Sequence, residues 1–275
     1  VRNELPYLGQ WDLGESNQVL TLLSDFGSRD IYVGVMKGVI ASINPNLTVV
    51  DISHEIPPQD VAAGRFCLLN AYPYFPPGTV HLAVVDPGVG SRRRSVAVQF
   101  DGGFLVGPDN GLLTGVLSET PIVGAIELTN PEYWRCPEPS HTFHGRDIFA
   151  PVAAHLASGV PLAALGRVVA PETLVKLNLP PCQRTDTHIT GVIQYVDGFG
   201  NLITNIRASD IPNQTWSLRA AKHSIPGGKT YSDAPTGQPL ALVGSNGWVE
   251  IAITRGNARM QLGLKVGDGV VVILN

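Results

Sequence analysis

Short apolar runs alternate with stretches of helical spacing in the first part of the chain, and that alternation narrows the possible folds more than any other feature. Val19–Ser24, Leu47–Ile52 and Val80–Val85 are apolar, short and bounded by turn-forming residues, as buried strands are. Between the first two, Tyr32, Val33, Val35, Met36, Val39 and Ile40 recur at helical spacing until Asn44-Pro45 stops them. A second helix is predicted from about Gln59 to Ala71. Strand, helix, strand, helix, strand is the signature of βαβ units, so the reading is an α/β N-terminal domain with a largely parallel sheet. Further strands are predicted at Ser95–Phe100 and Gly103–Val106, and helices at Gly111–Ser118 and Asp147–Ala157.

After about residue 175 the texture changes. Leu179–Asp186 contains two prolines and polar residues and reads as a linker. From Thr187 onward short alternating strands are separated by Gly, Asn and Pro, with no helix pattern, which predicts a small all-β, barrel-like C-terminal domain. The expected domains are 18–178 and 187–275. A chain of 275 residues, 44% hydrophobic and 15% charged, can supply a core for each. Its net charge of −4 argues against a nucleic-acid partner. No apolar run approaches the roughly 20 residues of a bilayer span, so no membrane partner is expected. Val1–Pro6 lacks the apolar region of a signal peptide. Cys67, Cys136 and Cys182 are odd in number and widely spaced, which indicates free thiols in a reducing cytoplasm rather than a disulfide framework or thiolate metal site.

Open α/β sheets bind ligands beyond the carboxyl ends of their strands, and three polar clusters fall at such places. In Ser24–Asp30, Asp25 can present a carboxylate to sugar hydroxyls; the other reading is helix capping, with Ser28 as cap and Asp30 in the first turn. In Asp86–Arg94, a glycine-containing loop can fold Arg93 back onto Asp86. That pair would position a water molecule, or brace a turn as a structural salt bridge. In Thr142–Asp147, His144 precedes a helix and is either a proton-transfer group or a structural residue. His54 with Asp51 and Glu55 is the only hint of a metal site, and it lacks ligand spacing, so no metal is expected. Asp197–Asn201 and Ser245–Gly247 both read as hairpin turns.

Taken in order, the motifs S-D-F-G (Ser24–Gly27), V-V-D-P-G-V-G (Val84–Gly90) with Arg93, P-D-N-G-L-L (Pro108–Leu113), F-H-G-R-D-I-F (Phe143–Phe149), D-G-F-G-N (Asp197–Asn201) and S-N-G (Ser245–Gly247) resemble those of the S-adenosyl-L-methionine (SAM) hydroxide adenosyltransferases, relatives of the fluorinases and chlorinases. The resemblance implies hydrolysis of SAM to adenosine and L-methionine by attack of activated water at ribose C5′, with SAM as substrate and no cofactor. It also implies a homotrimer with active sites at subunit interfaces. By the same resemblance Asp25 holds the ribose hydroxyls, while Asp86, Arg93 and His144 activate water. Asp197, with Asp30, takes the methionine amine, and Ser245 its carboxylate. Phe199 and Tyr231 pack near the adenine, Asn201 shapes that pocket, and the backbone near Asn257 and Ala258 reads the purine edge.

The chain departs from the halogenases where it matters. Asp86 and His144 stand where the fluorinase has tyrosines, Gln59 stands where it has a tryptophan, Tyr32 replaces a serine, and the Phe100–Val106 segment lacks an insertion. A fixed carboxylate repels a halide, so water is favoured as nucleophile. Asp86 paired with Arg93 is a good orienter but a weak base, which makes His144 the preferred proton acceptor, with Asp86 left open. The competing readings are a chloride-dependent halogenase of the same fold and a non-catalytic SAM or adenosine sensor.

Overall fold

The computed structural model describes residues 18–211 and 215–274. They form two compact units that divide at Leu177/Asn178. In the N-terminal unit the strands are β1 (Val19–Ser24), β2 (Thr48–Ser53), β3 (Thr79–Val84), β4 (Ser95–Phe100), β5 (Gly103–Pro108), β6 (Ile122–Glu127) and β7 (Arg167–Val168), in sheet order β2-β1-β3-β5-β4-β6-β7. The β1–β2, β1–β3 and β3–β5 ladders are parallel, while β4–β5, β4–β6 and β6–β7 are antiparallel. So β2, β1, β3, β5 and β6 point one way and β4 and β7 the other. The β4–β5 hairpin closes through Asp101-Gly102, with φ of +127° at Gly102, and leaves no room for an insertion.

The helices are α1 (Tyr32–Ile43), α2 (Val61–Ala71), α3 (Thr114–Leu117) and α4 (Ala150–Ala157). Met36 and Ile40 of α1 and most of α4 share one core with Leu20, Leu22 and Leu82 of the sheet. The α2 helix covers the opposite face, where Gly64 lies against Leu23, Val85 and Leu112. Strands buried on both faces need no polar alternation, which is why β1 and β3 read as continuous apolar runs.

Several elements differ from the sequence expectation. The α1 helix starts at Tyr32 with Ile31 as N-cap and no side-chain cap bond, so neither Ser28 nor Asp30 caps it. The α2 helix begins two residues late, because Gln59 takes a φ of +66° and Asp60 caps by accepting from the Ala63 N–H. Only Thr114–Leu117 of the predicted Gly111–Ser118 is helical: Gly111 has a φ of +96° and lies against Leu177. The α4 helix is preceded by a π-helical turn over Gly145–Phe149. Pro151 has no N–H to offer the Asp147 carbonyl, which accepts from Arg135 N–H at 2.9 Å instead.

In the C-terminal unit, β8 (Gln183–Arg184), β9 (His188–Val196), β10 (Leu202–Arg207), β11 (Trp216–Ala220), β12 (His223–Pro226), β13 (Pro239–Val243), β14 (Trp248–Ile253) and β15 (Gly269–Leu274) form an antiparallel sheet ordered β12-β11-β15-β9-β10-β14-β13. A bridge between Gly227 and Ala241 brings its two ends nearly together, giving a barrel-like sheet around Ile189, Ile193, Leu218, Val249, Ile251 and Val272. Part of the stretch read as linker is paired, since β8 lies on β9. A short helix missed in the sequence, α5 (Ala258–Leu262), is capped by Asn257 and ended by Gly263 in the left-handed conformation. Among the described residues no helix is long and apolar enough to cross a membrane.

Candidate active site

The order β2-β1-β3 places a reversal of winding between β1 and β3, where the loops that follow the two strands diverge and leave a crevice. Ser24 and Val84 are register partners at those carboxyl ends, so the chain emerges there as Asp25 on one side and Val85-Asp86 on the other. A cleft of about 380 Å³ opens at this point, lined by Asp25, Phe26, Tyr32, Gln59, Asp86, His144 and their neighbours. Phe26, Tyr32 and Phe143 wall it as an aromatic trio with ring centroids 5.2–5.8 Å apart.

Asp86 and His144 line the cleft, and Arg93 joins them from behind its wall. The Asp86–Arg94 loop turns back through Gly90, whose φ is +76°, and lays the Arg93 guanidinium on the carboxylate. Arg93 Nε donates to Asp86 Oδ1 and Oδ2 at 2.9 and 3.0 Å, and Nη2 also donates to Oδ2. Nη1 donates to Ser95 Oγ at 2.8 Å, and Nη2 reaches His144 Nδ1 at 2.8 Å. Both partners of the ion pair are buried, with side chains 9% and 5% exposed. Phe149 lies under the guanidinium at 5.3 Å. Asn110, in the P-D-N-G-L-L motif, donates its amide to the Val85 carbonyl at 2.8 Å and so fixes the strand end that carries Asp86.

An arginine can only donate, so the bond to His144 requires a lone pair on Nδ1. Burial and the charge of Arg93 both push the His144 pKa below its ordinary value, against the opposing pull of Asp86 and Asp147. The imidazole is therefore neutral near pH 7, with its ring proton on Nε2.

Asp25 lies on the same cleft, and its Oδ2 accepts from the Gln59 N–H at 2.7 Å. Its Oδ1 has no hydrogen-bond partner among the described residues. Asp30 is exposed in the turn before α1 and does not line the cleft.

The remaining candidates lie on the C-terminal unit. Asp197 opens the β9–β10 turn: Oδ1 accepts from the Phe199 and Asn201 N–H groups, and Oδ2 accepts from Asn201 Nδ2 at 2.9 Å. Asn201 is thus buried and bonded to Asp197, while Phe199 is 82% exposed. Ser245 is exposed in the β13–β14 turn, Asn257 caps α5, and Ala258 is buried. The Gly200 carbonyl accepts from the Arg259 N–H at 2.9 Å, which ties α5 to the Asp197 turn.

Sequence reasoning missed Glu250, a buried carboxylate on β14 that accepts from the Tyr231 hydroxyl at 2.5 Å. Burial and the charge of Asp197 raise its pKa against that hydrogen bond. The Tyr231 hydroxyl is raised in turn by burial and by Glu250. Nothing in the local sequence marks Glu250, because it sits in an otherwise apolar strand.

Comparison with known proteins gives the family. Residues 20–166 match the SAM hydroxide adenosyltransferase N-terminal domain, and residues 191–271 match the C-terminal domain of the same family. An (R)-S-adenosyl-L-methionine hydrolase of Salinispora arenicola is 42% identical over 250 residues, covering 90% of this chain and 95% of the relative. One from Thermus thermophilus is 42% identical over 89% of this chain and 95% of its own. A fluorinase of Actinoplanes is more distant, at 31% identity over 93% and 97%. A crystal structure of a conserved protein from Thermotoga maritima superposes with a TM-score of 0.86 at 36% identity, covering 92% of this chain and 99% of that one. The chain belongs to the SAM hydroxide adenosyltransferase family. Its similarity to the hydrolases exceeds its similarity to the fluorinase.

Proposed function

We propose that this enzyme hydrolyses SAM to adenosine and L-methionine, with water attacking ribose C5′ in line with the departing sulfur. The observation that carries this reading is the hydrogen-bonded Asp86–Arg93–His144 set at the carboxyl end of β3, on the cleft that Asp25 also lines. As the water oxygen bonds to C5′, the C5′–S bond breaks and its electron pair goes to sulfur, which leaves as a neutral thioether. No cofactor is needed for that displacement.

The direction of the Arg93–His144 bond supports a division of labour different from the sequence expectation. With Nδ1 occupied by Arg93, the His144 Nε2–H donates to the water and orients it. The proton then goes to Asp86, which keeps lone pairs beyond those facing Arg93. A weak base suffices, because the attacking oxygen becomes strongly acidic as it bonds to carbon. The aromatic trio keeps bulk water away and favours the sulfonium cation at its ring faces.

Asp25 Oδ1 is the oxygen available to the ribose hydroxyls. Asp197 and Ser245 on the C-terminal unit serve the methionine amine and carboxylate, and Phe199 and Tyr231 the adenine. Asp30, exposed and outside the cleft, has less support as an amine ligand. The exposed aromatic surface of Phe199 and Tyr231 supports a homotrimer with subunit-interface sites. The three cysteines, all free thiols, support a cytoplasmic location.

Incubation with SAM in the presence of chloride is the direct test. Adenosine and methionine are the expected products; 5′-chloroadenosine would identify a halogenase, and retention without turnover a sensor. The pH profile gives a second check. Because the folded state depresses the His144 pKa, the active neutral form dominates at pH 7, and kcat/KM should fall only below about pH 6.5. A rate that rises on acidification through that range would contradict the roles given to Arg93 and His144.

A further inference from the structure

His54, with Asp51 and Glu55, lacks metal-ligand spacing in the sequence. The structure gives His54 other partners. Its Nδ1 lies 2.7 Å from Ser24 Oγ, and its carbonyl oxygen accepts from the Gly27 N–H at 2.7 Å. On the other side, Nε2 lies 3.1 Å from Asp51 Oδ1, within ion-pair distance but off the line of a good hydrogen bond. Asp51 Oδ2 accepts from Lys37 Nζ at 2.6 Å.

A carboxylate facing Nε2 favours the proton there, which leaves Nδ1 to accept from the Ser24 hydroxyl. The same hydroxyl takes the Phe26 N–H at 3.4 Å. A serine–histidine–aspartate series invites a reading as a nucleophile triad, but Ser24 is 1% exposed and does not line the cleft. Asp25 and Phe26, immediately after it, do. Ser24 and Gly27 bracket those two residues, and His54 grips both. Asp25 is held a third time through its own Oδ2, by the N–H of Gln59 in its left-handed conformation.

We infer that His54 is a positioning residue for substrate binding: through Ser24 and Gly27 it fixes the loop that aims the free oxygen of Asp25 at the ribose hydroxyls, with Asp51 and Lys37 steadying its ring. The inference rests on the assignment of Asp25 to the ribose. Its signature is selectivity between ligands that differ only in those hydroxyls, which general damage to the fold would not produce.

Binding of adenosine and of 2′,3′-dideoxyadenosine to the full-length protein, measured by calorimetry, tests it. The wild type should prefer adenosine. His54→Ala should cut that preference about tenfold, the scale of one charge-assisted hydrogen bond, by weakening adenosine and sparing the dideoxynucleoside. Ser24→Ala, which deletes only the hydroxyl, should lose part of the preference and covers the case in which His54→Ala does not fold. A wild type without preference would overturn the ribose role of Asp25 itself. A wild type with preference, and variants that keep it or weaken both ligands alike, would overturn the role of His54.

Discussion

Replacing Asp86 by Asn should lower kcat about a thousandfold and leave KM for SAM within a few-fold, as expected for loss of a proton acceptor that contacts water rather than substrate. The substitution preserves the shape of the side chain and one accepting oxygen for Arg93, so the loop should stay folded. Arg93→Ala should match that loss in turnover and add a stability cost, because it strands a buried carboxylate. Breaking a buried pair from one side costs about 3–5 kcal/mol. The double variant should be little slower than either single one, since Asp86 and Arg93 act as a unit. Steady-state kinetics with thermal denaturation separates the two effects. Wild-type turnover in Asp86→Asn would remove Asp86 from the chemistry.

Gly90→Ala should be nearly as damaging, although Gly90 touches no reacting atom. Its φ of +76° disfavours any side chain, and a methyl group there would collide with the His141 carbonyl oxygen. Relief requires moving the Asp86–Arg94 loop away from the segment that carries His144. A displacement of about 1 Å can cost roughly a hundredfold in rate, and the strained backbone about 1–3 kcal/mol in stability. Gly88→Ala is the control. Its methyl would lie 3.5 Å from Arg93 Cγ and Ser91 Oγ, an ordinary contact, and the variant should stay close to wild type. Equal behaviour of the two variants, read from kcat and Tm, would show that the close approach at Gly90 does not set the geometry.

Much of the fold was legible because its determinants are local. The apolar runs of β1 and β3 and the spacing of Met36 and Ile40 announce buried elements with no knowledge of their partners. The strand-end positions of Asp25 and Asp86 followed directly, as did the turn around Asp197. What escaped depends on contacts distant in sequence or on single-residue chemistry. The antiparallel β6 strand is only partly buried, with an exposed Val123, and lacks the apolar continuity of β1. The π-helical turn before α4 follows from the missing N–H of Pro151 and a rescuing N–H from Arg135, twelve residues before the carbonyl it satisfies. The capping signals of α5, an asparagine before and a glycine after, were present, but the helix is only one turn long and shows no period. The roles proposed for His144 and Asp86 turn on the direction of one hydrogen bond, which residue identity alone does not give.

The nucleophile is the central claim, and isotopic labelling addresses it without reference to any variant. Turnover of SAM in water enriched in oxygen-18 should give adenosine labelled at its 5′ oxygen and unlabelled methionine. Adenosine that forms without the label would exclude direct attack by water at C5′.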